Sequence, residues 1–282
     1  MNGALIDEKR ERLIETLRSY GSCLVAFSAG VDSTVVAKAA HFALGDRAVA
    51  ITGTSASLAA GELDQSIELA RLIGIRHEII GTGELADPNY VRNAPDRCYR
   101  CKTELYDQLA PVAKRLGLAV IVNGANADDL GDYRPGMIAA HEHAVRSPLV
   151  ECGITKSDVR ELAAGWNLPI WDKAASPCLS SRVAYGEEVT PERLAMIDRA
   201  EQYLRGMGLR TVRVRYHRGD LARLEVPQEA IAKLAEGSVR AGLIGELTRL
   251  GFKYVTLDLA GFRSGSQNAA LPLVQIGNSV PR

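Results

Sequence analysis

Apolar and polar positions along the first part of the chain switch between two periods. Leu5 to Tyr20 carries Leu5, Leu13 and Leu17 with charged residues between them, which predicts an amphipathic helix. Leu24–Phe27 is a short continuous apolar run and predicts a buried strand; Thr34–Leu44 predicts a helix. The same change of period recurs, with strands expected at Ala48–Thr52, Arg76–Ile80 and Ala119–Asn123 and helices at Ala59–Ile73, Cys101–Leu116 and Lys156–Trp166. Strands alternating with helices predict an α/β fold on a parallel sheet, whose ligands gather at the carboxyl ends of the strands. Ser28, Thr52 and Asn123 fall at such ends.

The pattern changes after Gly186. Pro191–Met207 reads as a helix with Thr190 as its N-cap and Pro191 in its first turn. Thr211–Tyr216 and Ala222–Val226 read as strands around the turn Arg218-Gly219-Asp220. Gln228–Leu250 is helical in pattern, with a break expected near Gly237 or Gly242, and Phe252–Leu259 reads as a strand. Gly265–Arg282 shows no periodicity. Two domains are expected: residues 1–186, built on the parallel sheet, and residues 187–282, a smaller α+β unit for substrate binding or self-association.

Composition narrows the class. With 282 residues, 46% hydrophobic and 24% charged, the chain has length enough for a large core. Lys+Arg 34 against Asp+Glu 34 leaves no net charge, which argues against a broad nucleic-acid surface. No apolar run approaches the ~18 residues that span a bilayer. Met1 to Leu17 is rich in charge and lacks the apolar stretch of a signal peptide. Five cysteines, an odd number, point to a reducing compartment such as the cytoplasm and to thiol or metal chemistry.

The segment Leu24 to Thr34, L-V-A-F-S-A-G-V-D-S-T, is the most informative in the chain. A strand, a turn of small residues and a helix N-terminus aim free amides and the positive end of the helix dipole at one point, an anion site. Ser28, Gly30, Val31, Asp32, Ser33 and Thr34 form the turn, with hydroxyls as further donors. There is no G-x-x-x-x-G-K-[ST] and no G-x-G-x-x-G. An ordinary strand-to-helix turn with a serine cap is the bland alternative.

Cys98 and Cys101 form C-Y-R-C ahead of the expected helix, and Cys178 lies far away in A-S-P-C-L-S-S-R. Three readings compete. Zinc needs a fourth ligand, for which Cys152, His141 or His143 are available without the spacing selecting one. A dithiol redox pair fits the motif but not its surroundings. An iron–sulfur cluster on Cys98, Cys101 and Cys178 would leave one iron of four open. Cys23, in the first strand, reads as a buried apolar residue, and Cys152 has no evident partner. Trp166 and Trp171 read as packing residues.

The turn Ser28–Ser33 resembles the S-G-G-x-D-S loop of the N-type ATP pyrophosphatases, the PP-loop superfamily, with Ala29 in place of the first glycine. That resemblance implies an adenylating enzyme whose loop holds the pyrophosphate of ATP. Further stretches are D-R-C-Y-R-C-K (Asp96–Lys102), D-Y-R-P-G (Asp132–Gly136), C-L-S-S-R-x-x-Y-G (Cys178–Gly186), T-V-R-V-R (Thr211–Arg215) and Y-V-T-L-D-L-x-G-F-R-S-G (Tyr254–Gly265). Together they resemble the LarE family of ATP-dependent sulfur-insertion enzymes, which make the nickel-pincer nucleotide cofactor.

The resemblance implies that ATP adenylates a carboxylate of pyridinium-3,5-biscarboxylate mononucleotide and that sulfur then displaces AMP. One branch of the family sacrifices the sulfur of its own cysteine, which would stand where this chain has Pro177. The other holds a 4Fe-4S cluster on three cysteines, here Cys98, Cys101 and Cys178, fed by sulfide or another sulfur donor. ATP, Mg²⁺ and the cluster are then the expected cofactors. Thr52, Gly124, Lys102, Arg134 and Lys156 are the further nucleotide-facing candidates. Asp32 is a candidate for Mg²⁺ or for orienting the loop, with Asp128 and Asp129 as other carboxylates.

Period two in Val212-Arg213-Val214-Arg215 places both guanidiniums on one strand face. With Arg182 and Arg263 they suggest a phosphate or carboxylate clamp, with Glu201 and Glu225 as counter-charges. A solvated strand face is the plainer explanation. A tRNA thiolase would need a basic surface; an amide-forming synthetase would leave the three cysteines idle; a non-catalytic nucleotide-binding module would not need loop, acidic pair and cysteines together. No membrane is expected as a partner, nucleic acid is disfavoured, and a homo-oligomer is expected.

Overall fold

A computed structural model of the chain describes residues 2–131, 134–174 and 176–263. By contacts the chain divides into two units. Unit 1 is Met1–Ser55, Gly61–Glu84 and Cys98–Ser176; unit 2 is Ala56–Ala60, Leu85–Arg97 and Pro177–Arg282. Residues 177–186, which the pattern groups with the first domain, make their contacts in unit 2.

Unit 1 is a parallel sheet of β1 (Cys23–Ala26), β2 (Ala48–Thr54), β3 (Arg76–Gly81) and β4 (Val120–Val122), in the order β3-β2-β1-β4. Successive side chains of a strand face opposite ways. Cys23 and Val25 of β1 and Ala48 and Ala50 of β2 therefore join one apolar cluster. Leu24, Val49 and Ile51 join the other. Helices Asn2–Ser19, Val31–Leu44 and Lys156–Gly165 contribute to the first cluster, and Arg97–Leu116 and Pro135–Glu142 to the second. A parallel sheet covered on both faces explains why its strands read as unbroken apolar runs. The chain moves outward from β1 to β3 and returns to β4 on the other side of β1. The carboxyl ends of β1 and β4 thus mark the switch point where such sheets bind ligands.

Unit 2 holds a second sheet, ordered β5 (Arg213–His217), β6 (Leu221–Glu225), β7 (Tyr254–Leu257). β5 and β6 pair antiparallel and β7 lies parallel to β6. Thr190 caps the helix Pro191–Gly206 as expected, its side chain accepting from Arg193 N–H at 3.3 Å. The helical stretch after Gln228 breaks into Gln228–Ala235 and Gly237–Arg249, because Glu236 is extended (φ −66, ψ 145). Gly265–Arg282 lies outside the described residues. No helix among the described residues is long and apolar enough to cross a membrane.

Several boundaries differ from expectation in a way that matters for chemistry. The helix after β1 begins at Val31 rather than Thr34, and the cysteine-bearing helix at Arg97 rather than Cys101. Cys98 and Cys101 therefore stand inside the helix, at i and i+3 on one face, and not in a turn before it. Thr52 lies within β2, which runs on to Thr54. Trp166 packs against the core, its ring edge to Phe42, but Trp171 is 49% exposed and is not the packing residue its size suggests.

Candidate active site

The anion loop is built around one carbonyl. Gly30 caps the helix in extended geometry (φ −76, ψ 162), and its carbonyl accepts the Thr34 N–H at 3.0 Å, Thr34 Oγ1 at 2.8 Å and Ser33 Oγ at 3.2 Å. Ser28 N–H donates to Ser33 Oγ at 3.3 Å, and the two serine hydroxyls meet at 3.1 Å. The hydroxyls expected as ligand donors thus also hold the turn. The amides of Val31, Asp32 and Ser33 precede the first intrahelical bond and have no acceptor within the helix. The residue in left-handed geometry is Ala29 (φ 54), not Gly30, and it is buried. Glycine in the related loop pattern would adopt that φ without steric cost, whereas alanine does not.

Gly124, just past β4, closes the other side. A Cβ there would stand 2.7 Å from Ser33 N and 3.0 Å from Asp32 C, so only glycine lets this backbone lie against the helix N-terminus. Asn126 is the hub that sequence reasoning missed. Its Nδ2 donates to Asp32 Oδ1 at 3.0 Å, its Oδ1 accepts from Asp128 N–H at 3.0 Å, and its N–H donates to Asp129 Oδ2 at 3.0 Å. The Asn/Asp-rich stretch N-G-A-N-A-D-D after a predicted strand is the signal that would have found it. Lys156 Nζ donates to Asp32 Oδ2, and Lys156 N–H donates to Asp128 Oδ2 at 2.8 Å. Arg134 pairs with Asp129 at 2.9 Å. The switch point therefore carries Asp32, Asn126, Lys156 and the loop amides together.

Thr52 is placed differently. It is 3% exposed, its hydroxyl donates to Phe27 O at 2.9 Å and meets His77 Nε2 at 2.8 Å. Burial lowers the His77 pKa. Lys102 lies on the cysteine-bearing helix, and Gly136 fits against its stem, where a Cβ would come within 3.0 Å of Lys102 Cγ.

The cysteines sort by burial. Cys23 is fully buried, and burial pushes its thiol up to about 12; Cys152 is buried against Thr16, and burial raises it too. Both are packing residues. Cys98 is exposed, while Cys101 and Cys178 are partly exposed; none of the five is in a disulfide. Cys178 caps the one-turn segment Leu179–Arg182 in unit 2. Among the described residues no group of three or more His, Cys, Asp or Glu side chains stands ready to hold a metal ion.

The arginine strand of unit 2 is buried, not solvated. Arg182 and Glu201 are both 0% exposed; Arg182 donates to the two Glu201 oxygens at 3.0 and 3.3 Å. Glu201 also accepts from Arg205 at 2.8 Å and from Val214 N–H at 3.1 Å. Arg215 donates to buried Glu225 at 2.9 Å, and Arg223 reaches Glu225 at 3.0 Å. Arg213 donates to Val212 O at 2.8 Å, and its guanidinium lies 5.3 Å from the Phe262 ring centre. Burial, then the neighbouring Arg182, lowers the Arg213 pKa to about 10. Glu201 and Glu225 are the counter-charges anticipated for these arginines. Arg263 lies 3.6 Å from Asp258, and is largely exposed.

No protein-family model matches the chain. It is 47% identical over 267 residues to an uncharacterized protein of Synechocystis sp., covering 95% of this chain and 99% of that one. It is 38% identical over 274 residues to the pyridinium-3,5-bisthiocarboxylic acid mononucleotide synthase of Lactiplantibacillus plantarum, covering 97% and 98%. It is 28% identical over 214 residues to a subunit of the glutamine-hydrolyzing GMP synthase of Thermococcus kodakarensis, covering 69% and 67%. Near-complete coverage of the synthase, together with the loop at the switch point and the second sheet, makes the chain a member of the LarE family within the PP-loop ATP pyrophosphatase superfamily.

Proposed function

We propose that this chain is an ATP-dependent sulfurtransferase that converts the carboxylates of pyridinium-3,5-biscarboxylate mononucleotide into thiocarboxylates, in the biosynthesis of the nickel-pincer nucleotide cofactor. The observation that carries the reading is the anion loop at the switch point, closed by Gly124 and flanked by the Asp32–Lys156 pair, in a chain that matches a bisthiocarboxylic acid synthase along nearly its whole length.

A carboxylate is a poor acyl donor, so the first task is activation. A substrate carboxylate oxygen attacks the α-phosphorus of ATP, the α–β bridging bond breaks, and pyrophosphate leaves. The amides of Val31, Asp32 and Ser33, with the Ser28 hydroxyl, receive the phosphate charge, and Lys156 adds a cation. Sulfide sulfur then adds to the acyl carbon and AMP departs with the original oxygen. A second round at the other carboxylate gives the bis-thio product.

The remaining assignments follow from donor chemistry. Each Asp32 oxygen keeps a lone pair beyond its present bond, which suits a hard cation; Mg²⁺ there would neutralise phosphate charge. Cys98, Cys101 and Cys178 are the thiols outside the core, the donor type that iron–sulfur clusters take, and a cluster on them would supply the transferable sulfide. Arg213 and Arg215, backed by Arg182, Glu201 and Glu225, form the clamp for an anionic substrate. Lys102 and Arg134 complete the nucleotide contacts, and unit 2 serves substrate binding and self-association. The reaction belongs in the reducing cytoplasm.

The test is anaerobic purification followed by iron and sulfide analysis and ATP–pyrophosphate exchange with the pyridinium substrate. Brown protein with both elements, and exchange only when substrate is present, is expected. Colourless zinc-loaded protein would remove the cluster, and exchange indifferent to substrate would remove the adenylation step.

A further inference from the structure

The turn that carries Cys178 is held by residues distant in sequence but in the same unit. Tyr90 Oη and Ser180 Oγ, both buried, lie 2.7 Å apart. Arg97, buried, donates through Nη1 to Ser180 O at 2.6 Å and to Asn93 Oδ1 at 2.5 Å. Asn93 takes a left-handed backbone (φ 56), and its Nδ2 donates to Val183 O at 3.2 Å and Ala184 O at 2.8 Å. Leu179 N–H donates to Ser57 O at 2.8 Å, and Arg182 Nη1 to Cys178 O at 2.9 Å. Polar groups of Cys178, Leu179, Ser180, Val183 and Ala184 are each bound. A buried guanidinium grips the centre of the turn, two residues beyond the thiol.

We propose that Arg97 is a positioning residue for Cys178. It fixes the turn Cys178–Arg182 from within, through the Ser180 carbonyl and through Asn93, which binds the carbonyls of Val183 and Ala184. The inference rests on the reading that Cys98, Cys101 and Cys178 serve sulfur transfer. Charge-assisted bonds to a carbonyl and an amide oxygen suit the task because they are short and directional. Lysine cannot substitute, since its ammonium ends short of the outer guanidinium nitrogen.

The experiment compares the full chain with Arg97→Lys and Tyr90→Phe, which keep the buried volume nearly filled. Alkylation of Cys178 by iodoacetamide, scaled to Cys98 in the same molecule, is read by peptide mass spectrometry. ATP–pyrophosphate exchange and thiocarboxylate formation are read in parallel. Arg97→Lys is expected to raise the labelling ratio and to lower thiocarboxylate formation about tenfold, the size of one charge-assisted hydrogen bond. Exchange stays within about twofold of the parent, and Tyr90→Phe shifts both readouts the same way by a smaller factor. A labelling ratio unchanged in both variants overturns the proposal, as does a loss of exchange in step with thiocarboxylate formation. If Arg97→Lys does not fold, Tyr90→Phe decides by the same criteria. If the parent neither exchanges nor transfers sulfur, the functional reading fails, while the labelling ratio still decides the positioning.

Discussion

Lys156 donates its ammonium to the Asp32 carboxylate across 124 residues of sequence, joining the helix Val31–Leu44 to the helix Lys156–Gly165. Both are partly exposed, so the pair adds little to stability. Its value is placement: it sets one cation and one carboxylate beside the amides of Val31–Ser33. Asp32→Ala and Lys156→Ala are each expected to lower ATP–pyrophosphate exchange about a hundredfold, the scale of losing one charge-stabilising group. The melting temperature should move little. Exchange at the parent rate in Asp32→Ala would refute its role in the loop.

Ala29 and Gly124 divide the strain and the space of the anion loop between them. Ala29 holds φ 54 at a steric cost that glycine avoids, so Ala29→Gly is expected to stabilise the fold by about 1 kcal/mol, seen in denaturant melts. Gly124→Ala would push a methyl group against Ser33 N. It should weaken ATP binding by isothermal titration while the far-ultraviolet circular dichroism stays the same.

Glu201 neutralises buried Arg182 and also receives Arg205 and the Val214 amide. Removing its charge strands a buried cation. Glu201→Gln is expected to cost about 3 kcal/mol or more in urea unfolding. A change within experimental error would mean that water reaches this pair.

The buried thiol of Cys23 gives a pH dependence of defined sign. Its pKa is raised from 9.0 to about 12 by burial, so the folded state holds the proton more tightly than the unfolded state. Its contribution to stability is complete below about 9 and is lost as pH rises from there towards 12. Cys23→Ala should flatten the alkaline limb of a stability–pH curve. In the native protein at neutral pH, Cys98 should alkylate well before Cys23 or Cys152.

The parallel sheet was legible because its strands are apolar runs followed by amphipathic helices, a local signal. The anion loop was legible because all its parts lie within one short segment. What escaped was non-local. Nothing near Arg97 announces that its guanidinium reaches Ser180, and nothing near Asp32 announces Asn126. The alternating arginines of β5 read as a solvated face or a clamp, and it is their burial, alongside that of the valines, that sets the solvated face aside. Pro135–Glu142 was missed because its near-uniform apolarity leaves little helical periodicity. Cys98 was placed in a turn because Pro95 suggests a break, whereas the helix starts two residues later.

Substrate turnover tests the central claim most directly. Anaerobic protein given pyridinium-3,5-biscarboxylate mononucleotide, ATP, Mg²⁺ and sulfide should yield AMP, pyrophosphate and a product in which sulfur replaces carboxylate oxygen, one AMP per sulfur, by mass spectrometry. Thiocarboxylate formed without ATP, or AMP formed with the carboxylates left intact, would contradict the account.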